Sequence, residues 1–482
     1  MAYKYGDRDQ LSLFPKCIED YVSLEDPVRA YDAFVDALDL AMLGVEVDEN
    51  KVGNSNYNPR SMLKLLVYGY SYGWRSSRKL ERAVNHNVSF MWLMSGLKPD
   101  HKTIAEFRRN NLIALKKVLK QCARLCVRLE LIEGNTLFVD GTTIKANASR
   151  NMNLTRKTYE AKLTEIENRI EELLTECEQI DTDENSSESL VKMKKELCNK
   201  ERLRNTIDEI LTGFDNESAK NKSGRERTVN QTDPDSIIIK IAQGSCAGYN
   251  VQSVVDDKHG LIVNTEAAAI TSDIQQFAPQ IIKAEKVIGR ECKMAVADAG
   301  YANTAVLEEI DKRGTTVIVP SQRQALHEKE KPFNKNCFKY DKENNCYHCP
   351  EGHVLKYASA ELHRNKIYYR IEGSTCRSCK HFGVCTSCKT GRTITRLVNE
   401  QTKEKIERQY EDPDIQKIYA RRKMNVELPF GHIKHNLGIR HFLLRGIKGA
   451  QAESAIGASC FNIRRMISIF GSVQGFISAI QN

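Results

Sequence analysis

Two short apolar runs in this chain each end in an aspartate, and they limit the fold more than any other feature. The first run covers residues 137–139 and is followed by Asp140, and the second covers residues 294–297 and is followed by Asp298. Apolar runs of this length are typical of buried strands. A carboxylate directly after such a strand is held rigidly at the rim of a sheet. The two runs therefore predict a sheet that carries two acids at its rim.

A third acid, Glu427, lies in a basic, helix-like stretch, and Lys434 follows it two helical turns later. Cutting and rejoining DNA needs an activated water or hydroxyl and relief of negative charge at phosphorus, and two divalent ions roughly 3.5–4 Å apart can supply both. Mg²⁺ takes oxygen ligands, and substrate phosphate often completes its shell. We therefore interpret Asp140, Asp298 and Glu427 as candidate catalytic ligands of Mg²⁺ or Mn²⁺, and Lys434 as a phosphate contact. Pro429 predicts a kink, or a helix that begins near Glu427.

Each acid also has an ordinary interpretation. Asp140 precedes a glycine, as turn aspartates often do. Asp298 could cap a helix, and Glu427 could be one of many helical glutamates. Three further acids near predicted strand or helix ends compete for the metal, although turn and cap roles explain them more simply: Asp256, Asp257 and Asp273.

Composition bounds the class of protein without identifying its partner. The 482 residues suggest roughly two to four domains or subdomains. A net charge of +9 permits binding to a polyanion. No apolar segment is long enough for a membrane helix, and residues 1–9 lack the apolar core of a signal peptide, so we expect a cytoplasmic protein. The 15 cysteines should then be thiols or metal ligands rather than disulfides.

The first part of the chain is predicted to be helical. Asp26-Pro27 and Asn58-Pro59 are typical helix starts, with a capping side chain before a proline in the first turn. Several basic residues could either dock this region on DNA or belong to solvated helix faces: Arg75, Arg78, Lys79, Arg82, Arg108 and Arg109.

From about residue 131 the pattern changes to strands and then to alternating strands and helices. Strands are predicted at 136–146, 237–241, 249–255, 261–267, 294–297 and 316–319, with helices at 272–287 and 304–313. This order predicts a mixed α/β sheet covered by helices. Helical spacing at 159–180 and again at 190–210 predicts a helical hairpin inserted after the first strand, although a dimerisation arm would show the same pattern. The polar stretch 216–233 is predicted to be a mobile loop.

Three Cys-x-x-Cys pairs follow the last of these strands. They are Cys346 with Cys349, Cys376 with Cys379, and Cys385 with Cys388. In a cytosolic chain such pairs predict zinc, since two pairs complete a tetrahedral site. Six thiols exceed the four that one ion needs, and redox chemistry is the alternative. Cys337 and His348 lie in the same segment as bystanders or alternates.

A basic stretch follows the glutamate at residues 434–448. Lys434, Arg440 and Arg445 are candidate DNA phosphate contacts there. Residues 450–470 then have the spacing of an amphipathic helix, which we expect to pack on the sheet.

Several blocks of the chain, in order, resemble the DDE-type transposases of bacterial insertion sequences. These blocks are residues 57–60 and 103–108 of the helical region, the first-aspartate block 138–142, the strand block 248–256, the second-aspartate block 296–301 and the glutamate block 426–434. The glutamate block of this superfamily often has a tyrosine and an arginine upstream, with three residues between arginine and glutamate. Here Tyr419 and Arg422 have the right mutual spacing, but one extra residue separates Arg422 from Glu427.

The resemblance implies an RNase H-like mixed β-sheet flanked by helices, of class α+β or α/β. It implies an N-terminal helical, DNA-binding domain at 1–125 and a catalytic core at 126–320 with the helical insertion at about 154–215. A cysteine-rich, zinc-binding insertion at 321–395 and the remainder of the core, carrying the glutamate helix, at 396–482 would complete the chain. The zinc ligands implied are Cys349, Cys376, Cys379 and Cys385, with Cys346 and Cys388 as alternates.

The activity implied is metal-dependent cutting and joining of DNA strands at the ends of an insertion sequence. Double-stranded DNA is the expected partner, Arg422 joins the candidate phosphate contacts, and a homodimer or higher oligomer is expected on DNA, at the bacterial nucleoid. Two alternatives remain open at this point. One is an RNase H-like nuclease without strand transfer, and the other is a transposase-derived DNA-binding protein without catalysis.

Overall fold

The computed structural model describes residues 17–45, 57–180, 187–215, 226–242, 244–326 and 332–481. Within these ranges no helix is both long and apolar enough to span a bilayer. The predictions for residues 1–9, for the turn at 181–186 and for the first part of the polar stretch, 216–225, lie outside the described residues.

The described residues of the N-terminal region contain seven α-helices, in agreement with the predicted helical character. Asp26 accepts a hydrogen bond from the backbone N–H of Val28 and starts the first helix, and Asn58 caps the third in the same way through Arg60. The bounds are α1 Pro27–Asp36, α2 Leu40–Leu43, α3 Pro59–Ser71, α4 Ser77–His86, α5 Val88–Leu93, α6 His101–Asn110 and α7 Leu112–Arg128.

The chain then forms strand β1 (Thr136–Lys145) and enters a helical insertion. The insertion consists of β2 (Asn153–Thr155), α8 (Arg156–Ile180), α9 (Ser187–Asp215) and β3 (Thr228–Asn230), and β2 pairs with β3. Its helices pack around an apolar cluster of their own, which includes Tyr159, Ile170, Ile207 and Phe214. The prediction of a mobile loop through residue 233 is wrong for residues 228–230, because their backbone pairs with β2.

The main sheet is mixed. After the insertion come β4 (Ile237–Ile241), β5 (Gly244–Asp256), β6 (Ile262–Ala268), α10 (Phe277–Ile288), β7 (Met294–Val296), α11 (Thr304–Asp311) and β8 (Thr316–Ile318). The order across the sheet is β4-β5-β1-β7-β8, and β6 also pairs with β5. β1 is antiparallel to β5 and parallel to β7, and β7 is parallel to β8. The predicted mixed sheet is therefore observed.

A second, five-stranded sheet lies in the segment of the cysteine pairs, and the sequence analysis did not predict it. After the short helix α12 (Gln322–Ala325), the segment contains β9 (Lys339–Asp341), β10 (Cys346–His348), β11 (Val354–Glu361), β12 (Lys366–Arg370), α13 (Gly373–Arg377) and β13 (Thr393–Leu397). The strands lie in the order β13-β12-β11-β10-β9. Their core is small and largely aromatic, with Phe338, Tyr347 and Tyr369 among its buried members. We call residues 333–397 the cysteine module.

The C-terminal helices return to the main sheet. They are α14 (Glu400–Tyr410), α15 (Pro413–Arg422), α16 (Leu428–Gly431), α17 (Gly446–Ile469) and α18 (Val473–Gln481). α15 and α16 form one continuous helical path through a π-helical turn at Lys423–Glu427, and a second π-helical turn follows at His432–Asn436. α17 packs between the sheet and the N-terminal helices, so that residues of α3, α7, β5 and α17 share one apolar core.

Candidate active site

Asp140 and Asp298 lie at the same level on two adjacent strands. Phe138 of β1 pairs with Val296 of β7 in parallel register, and each aspartate comes two residues after one of these partners. Asp298 keeps an extended backbone, with φ −81° and ψ 176°. Because side chains alternate along extended chain, each carboxylate lies on the same face as Phe138 and Val296. The sheet topology thus brings two acids together that are far apart in sequence.

The helical path that carries Glu427 covers this face of the sheet. Val426 and Phe430 form an apolar cluster with Phe138, Val296 and Ile318, which lie on three neighbouring strands. Asp140 belongs to the interior of β1, opposite Ser253 of β5, and is not a turn residue. Asp298 does cap a short turn, since its Oδ1 accepts the N–H of Gly300 at 2.8 Å. Its other oxygen, Oδ2, takes no part in this turn and faces Arg422.

Arg422 is the cation shared by the two aspartates. One guanidinium nitrogen, Nη2, lies 3.1 Å from Oδ2 of Asp298 and 3.6 Å from Oδ2 of Asp140. The Arg422 side chain is only 14% exposed, so the attraction is weakly screened by solvent. Burial raises the pKa of Asp140 to about 6, and the charge of Arg422 opposes that rise. The carboxylate pair is therefore already arranged around one positive charge.

Glu427 and Lys434 flank this pair. Glu427 is exposed, and among the described residues its carboxylate has no hydrogen-bond or ion-pair partner. It lines an open groove of about 810 Å³ together with Tyr419 and Arg422. Lys434 Nζ donates to Thr142 Oγ1 at 2.5 Å, and Thr142 is two residues beyond Asp140 on the same face of β1. Burial lowers the pKa of Lys434.

The π-helical turn accounts for the extra residue between Arg422 and Glu427. A π turn holds one residue more than an α turn, and this turn spans Lys423–Glu427. Both side chains consequently line the same groove despite the longer spacing. Pro429 is the second residue of α16, two positions after Glu427, and the helical path continues through it, so the prediction of a new helix start near this glutamate is not met.

The three competing acids have structural partners. Asp256 is buried and accepts the backbone N–H of Gly134 at 2.7 Å. Asp257 pairs with Arg421 at 2.6 Å and accepts from Asn425, which anchors the glutamate-bearing helical path to the end of β5. Asp273 accepts hydrogen bonds from Asn250 and Gln252. Only Asp256, which also accepts the backbone N–H of Lys258 at 3.1 Å, has the contacts of a turn residue; the side chains of Asp257 and Asp273 instead bind side chains of other elements.

A buried amide network behind the aspartates was missed as a functional element by the sequence analysis. Gln252 donates to Asp273 and to Asn250, and Tyr301 donates to Gln252 Oε1 at 2.6 Å. A Cβ atom at Gly141 would lie 2.4 Å from Gln252 Nε2, so only glycine leaves room for the network beside Asp140. Asn250 and Gln252 lie in the strand block and Tyr301 lies in the second-aspartate block, and those positions were the signal that the sequence offered. Asp273 lies outside both blocks. The network fixes β5 and the turn after Asp298 relative to β1.

The carboxylates are the right ligand type for Mg²⁺, but they do not yet converge on one point. Across the described parts of the chain, three potential ligand atoms lie within 4.8 Å of one another only at Asp341, Cys346 and His348. Asp140 and Asp298 nevertheless share one cationic partner, Arg422. Their two carboxylates thus concentrate negative charge at one place, as a site for a divalent cation must. In ligand type and charge, Asp140, Asp298 and Glu427 therefore fit such an ion.

Four of the clustered cysteines line one small cavity. They are Cys349, Cys376, Cys379 and Cys385, and the cavity has a volume of about 30 Å³. Backbone N–H groups point at three of the sulfurs: His353 at Cys349 (3.3 Å), Arg392 at Cys376 (3.4 Å) and His381 at Cys379 (3.5 Å). Such donors favour the thiolate form that binds metals. Burial raises the pKa of Cys385, which a bound cation would have to offset.

The remaining cysteines of the segment lie elsewhere. Cys337 and Cys388 are exposed, and Cys388 contacts Thr390. Cys346 is buried on the β9–β10 hairpin beside His348. The structure therefore separates the four cysteines implied by the resemblance from both alternates.

The basic residues divide into two groups. Arg440 and Arg445 are exposed, Arg440 contacts His435, and Arg445 lines a groove of about 540 Å³ together with Lys145 and Arg150. Arg75 and Arg108 are instead buried. Neither interpretation offered for them, DNA docking or a solvated helix face, fits that position, because their guanidinium groups bind protein oxygens inside the core.

Two family models match the sequence, at opposite ends of the chain. "Transposase domain (DUF772)" matches residues 16–110, and "Transposase DDE domain" matches residues 348–467, which include the four cysteines, Glu427 and Lys434. No curated protein matches the chain significantly. A solved structure, a piggyBac transposase synaptic complex with hairpin DNA, aligns at 10% identity over 95% of this chain and 79% of that chain, with a TM-score of 0.32. A TM-score this low does not support an assignment of the fold. The two family matches, in the order of the blocks described above, support a DDE transposase.

Proposed function

We propose that this protein is a DNA transposase that cuts and joins strands at the ends of an insertion sequence by two-metal-ion hydrolysis and transesterification. The observation that carries the proposal is the equal register of Asp140 and Asp298 beneath the helical path that bears Glu427 and Lys434. A mixed sheet in which β1 pairs antiparallel with β5 and parallel with β7, followed by parallel β8, supports an RNase H-like core.

Asp140, Asp298 and Glu427 would hold the divalent ions. When bound, the ions would activate the attacking oxygen and offset the charge that develops at phosphorus. Before the ions bind, Arg422 offsets the charge of the two aspartates. Once the ions displace it, Arg422 would be free to contact a DNA phosphate. Lys434 would position a second phosphate beside Thr142.

The test uses duplexes taken from the DNA that directly flanks the reading frame. We expect Asp140→Ala, Asp298→Ala and Glu427→Ala each to abolish Mg²⁺-dependent cleavage of these duplexes, because each removes an anionic ligand, while DNA binding persists. Cleavage is followed by gel and binding by mobility shift. Asp414→Ala is the matched control, because Asp414 is an exposed acid on α15 that pairs with the exposed Lys417.

The outcomes separate the alternatives. Full cleavage by Glu427→Ala would show that the third ligand is another residue. Cleavage by the wild type without joining to a target duplex would identify a nuclease without strand transfer. Binding without any cleavage by the wild type would identify a transposase-derived DNA-binding protein.

Two ends are generally held together during transposition, so we also propose that the complex with DNA is a homodimer or higher oligomer. Light scattering of that complex would measure its oligomeric state.

We further propose that the cysteine module holds a structural Zn²⁺ through Cys349, Cys376, Cys379 and Cys385. Four thiolates close a tetrahedral site and leave no open position for catalysis. Cys376→Ser should lose one equivalent of zinc, measured by elemental analysis after purification in reducing buffer. Cys337→Ser, at an exposed position of the same module, should lose none. Wild-type protein with a zinc content near zero would eliminate the site.

A further inference from the structure

The β9–β10 hairpin gathers three different metal-binding side chains outside the two sites described above. Cys346 lies directly opposite Asp341 in the antiparallel pair, so both side chains are on one face of the hairpin. His348 is two residues beyond Cys346 on the same face. Tyr347, between them, packs into the aromatic core on the other side. Strand geometry thus places a carboxylate, a thiol and an imidazole together.

The distances between these groups suit a metal better than a hydrogen-bonded cluster. His348 Nε2 lies 3.6 Å from Asp341 Oδ2, which is too long for a hydrogen bond. Cys346 Sγ lies 3.8 Å from His348 Nε2, and all three ligand atoms are within 4.8 Å of one another. Tetrahedral Zn²⁺, with Zn–S near 2.3 Å and Zn–N and Zn–O near 2.1 Å, would hold sulfur and nitrogen about 3.6 Å apart and nitrogen and oxygen about 3.4 Å apart. The observed separations are within a few tenths of an ångström of these values.

We propose that Asp341, Cys346 and His348 form a second transition-metal site, which takes Zn²⁺ and is separate from the four-cysteine cavity. A thiolate and an imidazole select Zn²⁺-class ions over Mg²⁺ and Ca²⁺, which prefer oxygen ligands. Three protein ligands leave the fourth position to water. The ion would tie β9, at the edge of its sheet, to β10.

The local turn explains part of this arrangement but not all of it. Asp341 Oδ1 accepts the backbone N–H groups of Glu343 and Asn344, as turn aspartates do. Those bonds engage one carboxylate oxygen. The other, Oδ2, accepts from the side-chain amide of Asn344 at 2.8 Å and also lies 3.6 Å from His348 Nε2. Nothing in the turn requires a thiol and an imidazole on the same face. Cys346 is 6% exposed, so a solvent-facing role does not account for it either.

The test is a zinc count on the full-length protein. Protein dialysed against micromolar ZnSO₄ is freed of loose ions on a chelating resin and analysed for zinc. The wild type should hold one equivalent more than His348→Ala and one more than Cys346→Ser. His363→Ala, an exposed histidine of the same module, should match the wild type. Asp341→Asn keeps the turn acceptor but removes the anionic ligand, so it should bind the extra zinc more weakly in a competition with a chromogenic chelator.

Two comparisons test the hairpin site separately from the four-cysteine site and from the proposed transposase activity. Cys376→Ser should retain the hairpin zinc even though it loses the other, and Co²⁺ bound to this variant should show the charge-transfer absorption of a single thiolate. If His348→Ala and Cys346→Ser both hold as much zinc as the wild type, the second site does not exist. The same conclusion follows if Cys376→Ser holds no zinc.

Discussion

Arg422 is the one residue whose position explains why two acids can share a half-buried site before any metal binds. It lies 124 positions from Asp298 in sequence, yet its guanidinium donates to that carboxylate and faces Asp140. Arg422→Ala would leave two like charges with only solvent between them. In buffer with EDTA we expect a loss of about 2 kcal/mol in the free energy of unfolding, and Ca²⁺ should restore more stability to the variant than to the wild type. Urea unfolding with and without Ca²⁺ measures both effects.

The control is Lys423→Ala, which removes an exposed cation of the adjacent π-helical turn. It should change neither the free energy of unfolding in EDTA nor the stabilisation by Ca²⁺. Arg422→Lys keeps the charge and should lose less stability than Arg422→Ala. If Ca²⁺ stabilises Arg422→Ala no more than the wild type, Asp140 and Asp298 do not form a cation site.

At the residue scale the sequence predicts acids better than it predicts their partners. Asp140 and Asp298 are recognisable because each ends an apolar run, a pattern confined to a few neighbouring positions. Arg422 is not recognisable in this role, because its contact depends on the topology of the sheet and on a π-helical turn. The amide network of Asn250, Gln252 and Asp273 was missed for a similar reason, since the bonds from Asn250 and Gln252 to Asp273 join residues that are more than 20 positions apart in sequence.

At the element scale the π-helical turn at Lys423–Glu427 sets which residues face the sheet. Met424, within this turn, is 73% exposed. Its deletion should convert the π turn into an α turn and rotate α15 by about 100° relative to α16, since an α-helix has 3.6 residues per turn. Val426 and Phe430 anchor the C-terminal side in the apolar cluster, so Arg422 should leave the aspartates. We expect lost cleavage and a lower thermal unfolding midpoint, with DNA binding retained.

Met424→Ala removes the same side chain without changing the helical register, and it should behave as the wild type in both assays. Cleavage by the deletion variant at the wild-type rate would show that the extra residue does not set the spacing of Arg422 and Glu427. The measurement requires only thermal melts and the duplex cleavage assay.

At the scale of the whole molecule the sequence indicated the strands of the main sheet but not how the two ends of the chain meet. Local periodicity predicted the N-terminal helices, the β-rich middle and the C-terminal helix α17. It could not reveal that these parts share one apolar core, because that depends on contacts between distant segments. The five strands of the cysteine module also escaped prediction, since they are short and mostly exposed, and the alternating pattern of a half-buried strand is weak in them.

The buried ion pair between Arg75 and Glu453 joins the N-terminal helices to α17. Arg75 Nη1 lies 3.0 Å from Glu453 Oε2 and donates to the carbonyl of His441 at 2.8 Å, while Glu453 Oε1 accepts the N–H groups of Leu443 and Leu444. Glu453 is fully buried. Arg75→Ala should therefore cost about 4 kcal/mol in the free energy of unfolding, because it leaves a buried carboxylate without its counter-ion.

The pH dependence of Arg75→Ala distinguishes loss of this charge pair from loss of packing. Burial raises the pKa of Glu453 above its ordinary value of 4.5, and Arg75 opposes that rise, so removing Arg75 should raise the pKa further. The folded variant then holds a proton that the unfolded chain releases, and its stability falls as pH rises from 4.5 through the raised pKa. We expect the difference from wild type in urea unfolding to be smaller at pH 5 than at pH 8. Glu453→Gln in the Arg75→Ala background keeps an oxygen acceptor for the N–H groups of Leu443 and Leu444 but removes the charge, so it should recover part of the loss and remove its pH dependence. A difference that stays constant between pH 5 and pH 8 would mean that Arg75 contributes packing alone.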